Sequence, residues 1–161
     1  MRLEEARFEV EITEKFLQEG LIRNAAGKVF QAWKSLLVAL LTEKRDVSVK
    51  KHLKKKSLGR RKIEFIDRII AVVLTSYLEE LSLILGKEIN LLIEKVLSIH
   101  EYRYNGPDKE AILSPFRSDE IAAENIKMLI NEIKSILQNV QKQNTLHSIL
   151  VLIIIINSKN V

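Results

Sequence analysis

Five stretches of this chain repeat apolar residues at helical spacing, and hardly any stretch alternates as a half-buried strand would. The first covers residues 2–19, where Leu3, Ala6, Val10 and Leu17 share a stripe opposite Glu4, Glu5, Arg7, Glu11 and Glu14. Gly20 punctuates it. The second, about 21–44, carries Ala25, Val29, Ala32, Leu36 and Ala39, flanked by Phe30, Trp33, Leu37, Leu40 and Leu41. That much apolar surface predicts a helix buried on more than one side, with Trp33 in the core. Small residues at 25–27, 32, 35 and 39 permit close helix approach. The third stretch, about 60–85, holds Ile63, Ile66, Ile70, Val73, Tyr77, Leu81 and Ile84. The fourth, about 87–103, resumes with Ile89, Leu92, Val96 and Ile99. One unbroken helix from 60 to 103 would run about 65 Å, too long for a compact domain, so a turn is expected at Gly86.

Asn105-Gly106-Pro107-Asp108 is a loop signal, prolonged by Ser114-Pro115. Ser118 is then placed to cap a fifth helix, with Asp119 and Glu120 matching the positive end of its dipole. Its stripe is Ala122, Ile126, Leu129, Ile133, Ile136 and Val140. The run Ile149–Ile156 has no polar face and is mostly β-branched, a composition that also fits a strand. With no ladder partner in a helical domain, a separate short helix from about 145 to 157 is the expectation. The pattern predicts an all-α chain: a bundle domain over 1–142 and an apolar tail over 143–161 that packs on the bundle or on a partner subunit. Eight apolar residues in a row rarely face water, so a homodimer is expected.

The chain has 161 residues, 47% apolar and 29% charged, which is one globular domain. It has no cysteine, which excludes disulfides and thiolate sites and fits a cytoplasmic setting. The opening residues read as an amphipathic helix and not as a signal peptide, and no apolar run reaches the roughly 18 residues of a membrane span. Charge changes the picture more. Residues 44–62 read KRDVSVKKHLKKKSLGRRK, ten basic residues against one Asp. The rest of the chain keeps sixteen basic and twenty acidic residues, so the whole net charge of +5 resides in this segment. Lys50, Lys51, Lys54, Lys55, Lys56, Arg60 and Arg61 are therefore the candidate contacts to RNA, nucleotide or another polyanion. A solvated linker is the plain alternative.

Only residues 100–105 combine varied chemistry at high density. His100 could serve as acid or base, Arg103 could hold a phosphate, and Tyr102 and Tyr104 could stack on a base, with Asn105 beside them. Equally, the cluster could simply cap the end of the bundle. His147 beside the apolar tail reads as structural. Glu79, Glu80 and His100 lack the spacing of a ligand set, so no metal and no cofactor is expected. There is no glycine-rich phosphate loop.

Two stretches resemble the HEPN superfamily. Ala25-Ala26-Gly27-Lys28-Val29-Phe30-Gln31-Ala32-Trp33-Lys34-Ser35-Leu36 is similar to its second helix. Leu97-Ser98-Ile99-His100-Glu101-Tyr102-Arg103-Tyr104-Asn105-Gly106 resembles the fourth-helix ending of its archaeal PaREP-like branch, and the opening RLEEARFEVEITEKFLQEG fits as well. The resemblance covers roughly residues 1–140. It implies an up-and-down bundle of four to five helices, often dimeric, with nucleotide- or RNA-related roles. HEPN ribonucleases carry an Arg, four to six residues and then a His late in the bundle. His100 would be that His, but positions 93–95 are Ile93, Glu94 and Lys95, so the Arg is missing. The spacing from Arg45 to His52 does match, though it lies in the basic segment and not on the late helix. The leading expectation is a non-catalytic binding module. The alternatives are a protein-interaction module of a toxin–antitoxin type system and a ribonuclease using His100 with Arg103.

Overall fold

The computed structural model describes residues 2–43 and 77–158, with side-chain surroundings through residue 150. The basic segment and residues 60–76 of the expected third helix lie outside the described residues. So do all seven polyanion candidates and the Arg45–His52 pair.

The first two stripes fold as α1 (Arg2–Gln18) and α2 (Ile22–Glu43). Gly20, at φ 74°, turns the chain between them. The Leu21 N–H donates to Phe16 C=O at 2.8 Å and the Gly20 N–H to Leu17 C=O at 3.2 Å. This pair of bonds satisfies the last carbonyls of α1 and needs a residue tolerant of the left-handed region. α2 is buried along nearly its whole length, and Trp33, Leu36 and Leu37 are fully enclosed. It packs against α1, against the later helices and against α3 (Leu78–Leu85).

Gly86, at φ 121°, ends α3 as the pattern predicts. The expected 87–103 helix comes as two pieces, α4 (Lys87–Leu91) and α5 (Ile93–Asn105), separated at Leu92. Asn90 donates from Nδ2 to Ser82 Oγ at 2.9 Å, tying α4 back to α3. The chain then loops through Gly106 to Ser118. Asp108 organises that loop by accepting the N–H groups of Glu110, Ile112 and Leu113 at 2.7–3.1 Å. The Leu113 bond is the largest reason its carboxyl sits below the ordinary range.

Ser118 caps α6 (Asp119–Ser158), its Oγ accepting the Ile121 N–H at 3.3 Å. The expected fifth helix and the expected separate tail helix are one continuous helix of 40 residues. Residues 141–148 contain no glycine or proline and keep their backbone hydrogen bonds within the helix, so nothing stops it. The β-branched run 149–156 is helical, not a strand. Ala122, Ile126, Leu129, Ile133, Leu137 and Val140 bury the first half of α6 against the bundle. Residues 141–150 are all exposed, so this part of the tail is not buried by the described bundle. Lys134 pairs with Glu14 of α1 at 2.6 Å, and Asn144 reaches Glu43 at the end of α2.

The architecture is all-α, with no strand among the described residues. α2 runs antiparallel to α1 and to α5, and α6 antiparallel to both of these. No helix of the described residues is long and apolar enough to cross a membrane. Replacing Trp33 by Ala is expected to cost about 3–5 kcal/mol in urea unfolding, because the side chain has no exposed surface and leaves a cavity. Phe8→Ala, at a ring 60% exposed, should change stability by no more than about 0.5 kcal/mol.

A basic cleft between the second and fifth helices

One face of α2 interrupts its apolar surface. Arg23, Asn24, Gly27, Lys28 and Gln31 follow one another at helical spacing and form the wall of an open cleft of about 590 Å³. Phe16 closes it from the end of α1, and Arg103 of α5 forms the opposite wall. Three of the seven lining residues are cationic and none is acidic.

Glycine at 27 sets the width of this seam. A Cβ there would stand 3.1 Å from Arg103 Nε and 3.3 Å from its Cδ. The Arg103 side chain therefore lies directly on the α2 backbone, a close approach that any other residue would obstruct. Its guanidinium also stands 5.2 Å over the Tyr104 ring. Among the described residues it pairs with no carboxylate. Arg23 meets the same seam from the other side. It donates from Nε to Arg103 C=O at 3.1 Å and from Nη2 to Tyr104 C=O at 2.6 Å, capping the last carbonyls of α5. Its Nη1 carries no hydrogen bond among the described residues. Lys28 is ion-paired with Glu9 of α1 at 3.0 Å.

The sequence cluster 100–105 is divided by the helix it sits on. His100 is half-buried and stacks on Phe30 at 4.0 Å between ring centroids, with Tyr104 edge-on at 5.1 Å. Its Nδ1 is buried without a hydrogen-bond partner. Burial lowers its pKa, and the positive charges of Arg103 and Lys34 lower it further, against a weaker opposing pull from Glu101. Tyr102 points the other way. It is fully enclosed, edge-on to Phe116, and its hydroxyl donates to Asp119 at 2.5 Å. Burial and that bond push its pKa far up. Its ring is thus unavailable for the base stacking that the sequence left open, because position 102 faces the core between α5 and α6. Tyr104 is 60% exposed and keeps that possibility. Asn105 spends its Nδ2 on Leu113 C=O at 2.6 Å, holding the loop.

So the structure brings Arg103 to a cleft, with His100 and Tyr104 beside it, and assigns Tyr102 and Asn105 to the framework. Arg23, Asn24, Gly27, Lys28 and Gln31 are absent from the sequence candidates. The polar stripe they form within an apolar helix was the available signal. Among the described residues no group of acidic or histidine side chains could hold a metal ion.

A helical bundle with a cationic cleft at one seam is the class of protein that these features define. The chain matches the model of the archaeal PaREP1/PaREP8 family over residues 1–127 and belongs to that family. No curated protein and no solved structure matches it.

His100 makes a pH test available. Its folded pKa lies below the ordinary value of about 6.5, so the unfolded chain binds the extra proton first, and stability falls as pH drops below that value. The thermal midpoint is expected to decline on acidification from about pH 7 to 5, and less steeply in His100→Gln, as calorimetry at several pH values can measure.

Proposed function

We propose that this chain is a non-catalytic, HEPN-like helical module that binds RNA or another polyanion in the cytoplasm. The basic segment 44–62 supplies most of the attraction, and the α2–α5 cleft contributes to the same role. The observation that carries the reading is the convergence of Arg23, Lys28 and Arg103 on one open cleft. It stands out because the chain outside 44–62 is net negative. The antiparallel run of α1, α2, α5 and α6 supports the HEPN-like part. The stacking of His100 on Phe30 with Tyr104 edge-on, and the missing Arg before it, speak against ribonuclease chemistry.

If four to six basic residues meet phosphates, the logarithm of affinity for single-stranded RNA should fall against log salt with a slope of about −3 to −4. Neutralising Lys54, Lys55 and Lys56 together should flatten it by about 2 with the fold intact. Absence of RNA retention at low salt, or an unaltered slope in the triple variant, would reject the reading. RNA cleavage lost on His100→Ala would favour the ribonuclease instead.

A second reading, a protein-interaction role through a homodimer or a toxin–antitoxin type partner, is favoured by α6. Residues 141–150 are exposed, and Leu146, Ile149 and Leu150 are each about half exposed or more. Light scattering at micromolar concentration is expected to give a dimer for the intact chain and a monomer for a chain ended at Asn144. A monomer in both cases would eliminate the α6 interface.

A further inference from the structure

We propose that the cleft between α2 and α5 is a discrete seat for one terminal phosphate monoester, that of a free mononucleotide or of an RNA 5′ end, with Arg103 as its principal ligand and Gly27 as the residue that positions Arg103. The seat deepens the polyanion reading by giving the described fold its own site, separate from segment 44–62.

Charge matching argues for a monoester. The cleft gathers the guanidinium groups of Arg23 and Arg103 and the ammonium of Lys28, and Lys28 is already paired with Glu9. Among the described residues two positive charges remain without a carboxylate, which suits a group carrying about two negative charges near neutral pH. A phosphodiester brings one charge per nucleotide and asks for a track, whereas these cations meet in one place. Size agrees. A volume of about 590 Å³ lies within the usual range for a small-molecule site.

Geometry supplies the donors. Arg103 lies against the α2 backbone at Gly27, and among the described residues no carboxylate competes for its planar fork, the group that binds phosphate bidentately. Arg23 is held rigid by its two carbonyl bonds, while its Nη1 is uncommitted among the described residues. Its orientation is therefore fixed before any anion arrives, which reduces the ordering cost of binding. Asn24 and Gln31 stand on the same stripe of α2 and can meet the uncharged part of the molecule.

Gly27 gives the test its leverage. Alanine at 27 improves intrinsic helix propensity, and the atoms it meets belong to a flexible side chain, so the helix tolerates it while Arg103 must move. A merely structural glycine would lose stability on this change, whereas a positioning one loses affinity.

The experiment titrates the full chain with adenosine 5′-monophosphate, followed by phosphorus NMR and calorimetry, with adenosine as control. One saturable site per chain is expected, and adenosine should not bind. Arg103→Gln and Gly27→Ala should each weaken binding by about tenfold or more, with the Gly27→Ala thermal midpoint unchanged or raised. Neutralising Lys54, Lys55 and Lys56 should leave it unchanged. A short RNA with a 5′-phosphate should outcompete its 5′-hydroxyl twin if the strand end is the source, and match it if the free nucleotide is. No saturable binding of the nucleotide to the intact chain, or equal affinity in Arg103→Gln, overturns the seat. RNA retention without nucleotide binding sinks the seat and leaves the module reading standing. Nucleotide binding without RNA retention does the reverse.

Discussion

The covering of α2 is the constraint on which the other helices depend. Its apolar residues extend around most of its circumference, so no single neighbour can bury them. α1 takes one side through the Gly20 turn, α5 and α6 take the others, and α3 also packs against it. Trp33, Leu36 and Leu37 sit where these helices meet, without contact with water. The stripe from Arg23 to Gln31 is one part of α2 that this enclosure leaves open, and the polar chemistry of the cleft collects there.

At that stripe, structural and binding demands use the same atoms. Arg23 satisfies carbonyls at the end of α5 that would otherwise need water. In doing so it fixes a guanidinium at the edge of the cleft. Gly27 removes the one side chain that would keep Arg103 away from α2. The seam is therefore narrow because of a glycine and cationic because of a cap. His100 lies next along α5, where burial against Phe30 and the nearby positive charges disfavour its protonated form.

α6 shows a different balance. Its first half is an ordinary amphipathic helix that closes the bundle. Beyond Val140 it stays helical, with Leu146, Ile149 and Leu150 exposed. At 40 residues it is about 60 Å long, against about 33 Å for α2, so the bundle cannot cover it end to end.

Much of the framework was legible in the residues. The bounds of α1 and α2, the turns at Gly20 and Gly86, the Ser118 cap and the burial of Trp33 all follow from apolar period and local turn chemistry, which act over a few residues. The break at Leu92 and the merging of the fifth helix with the tail were not legible. No glycine or proline marks the first, and the change of composition near 143 imitates a boundary without breaking a hydrogen bond. The chemistry divides in the same way. The sequence by itself determined that the chain is helical, that its charge is concentrated, and that residues 100–105 are its densest polar cluster. Tertiary structure alone decided which of them face outward. It turned Tyr102 inward to Asp119 and laid Arg103 on Gly27, 76 positions earlier in the chain. Helical period fixes the face a residue occupies, but only packing between helices fixes what that face meets.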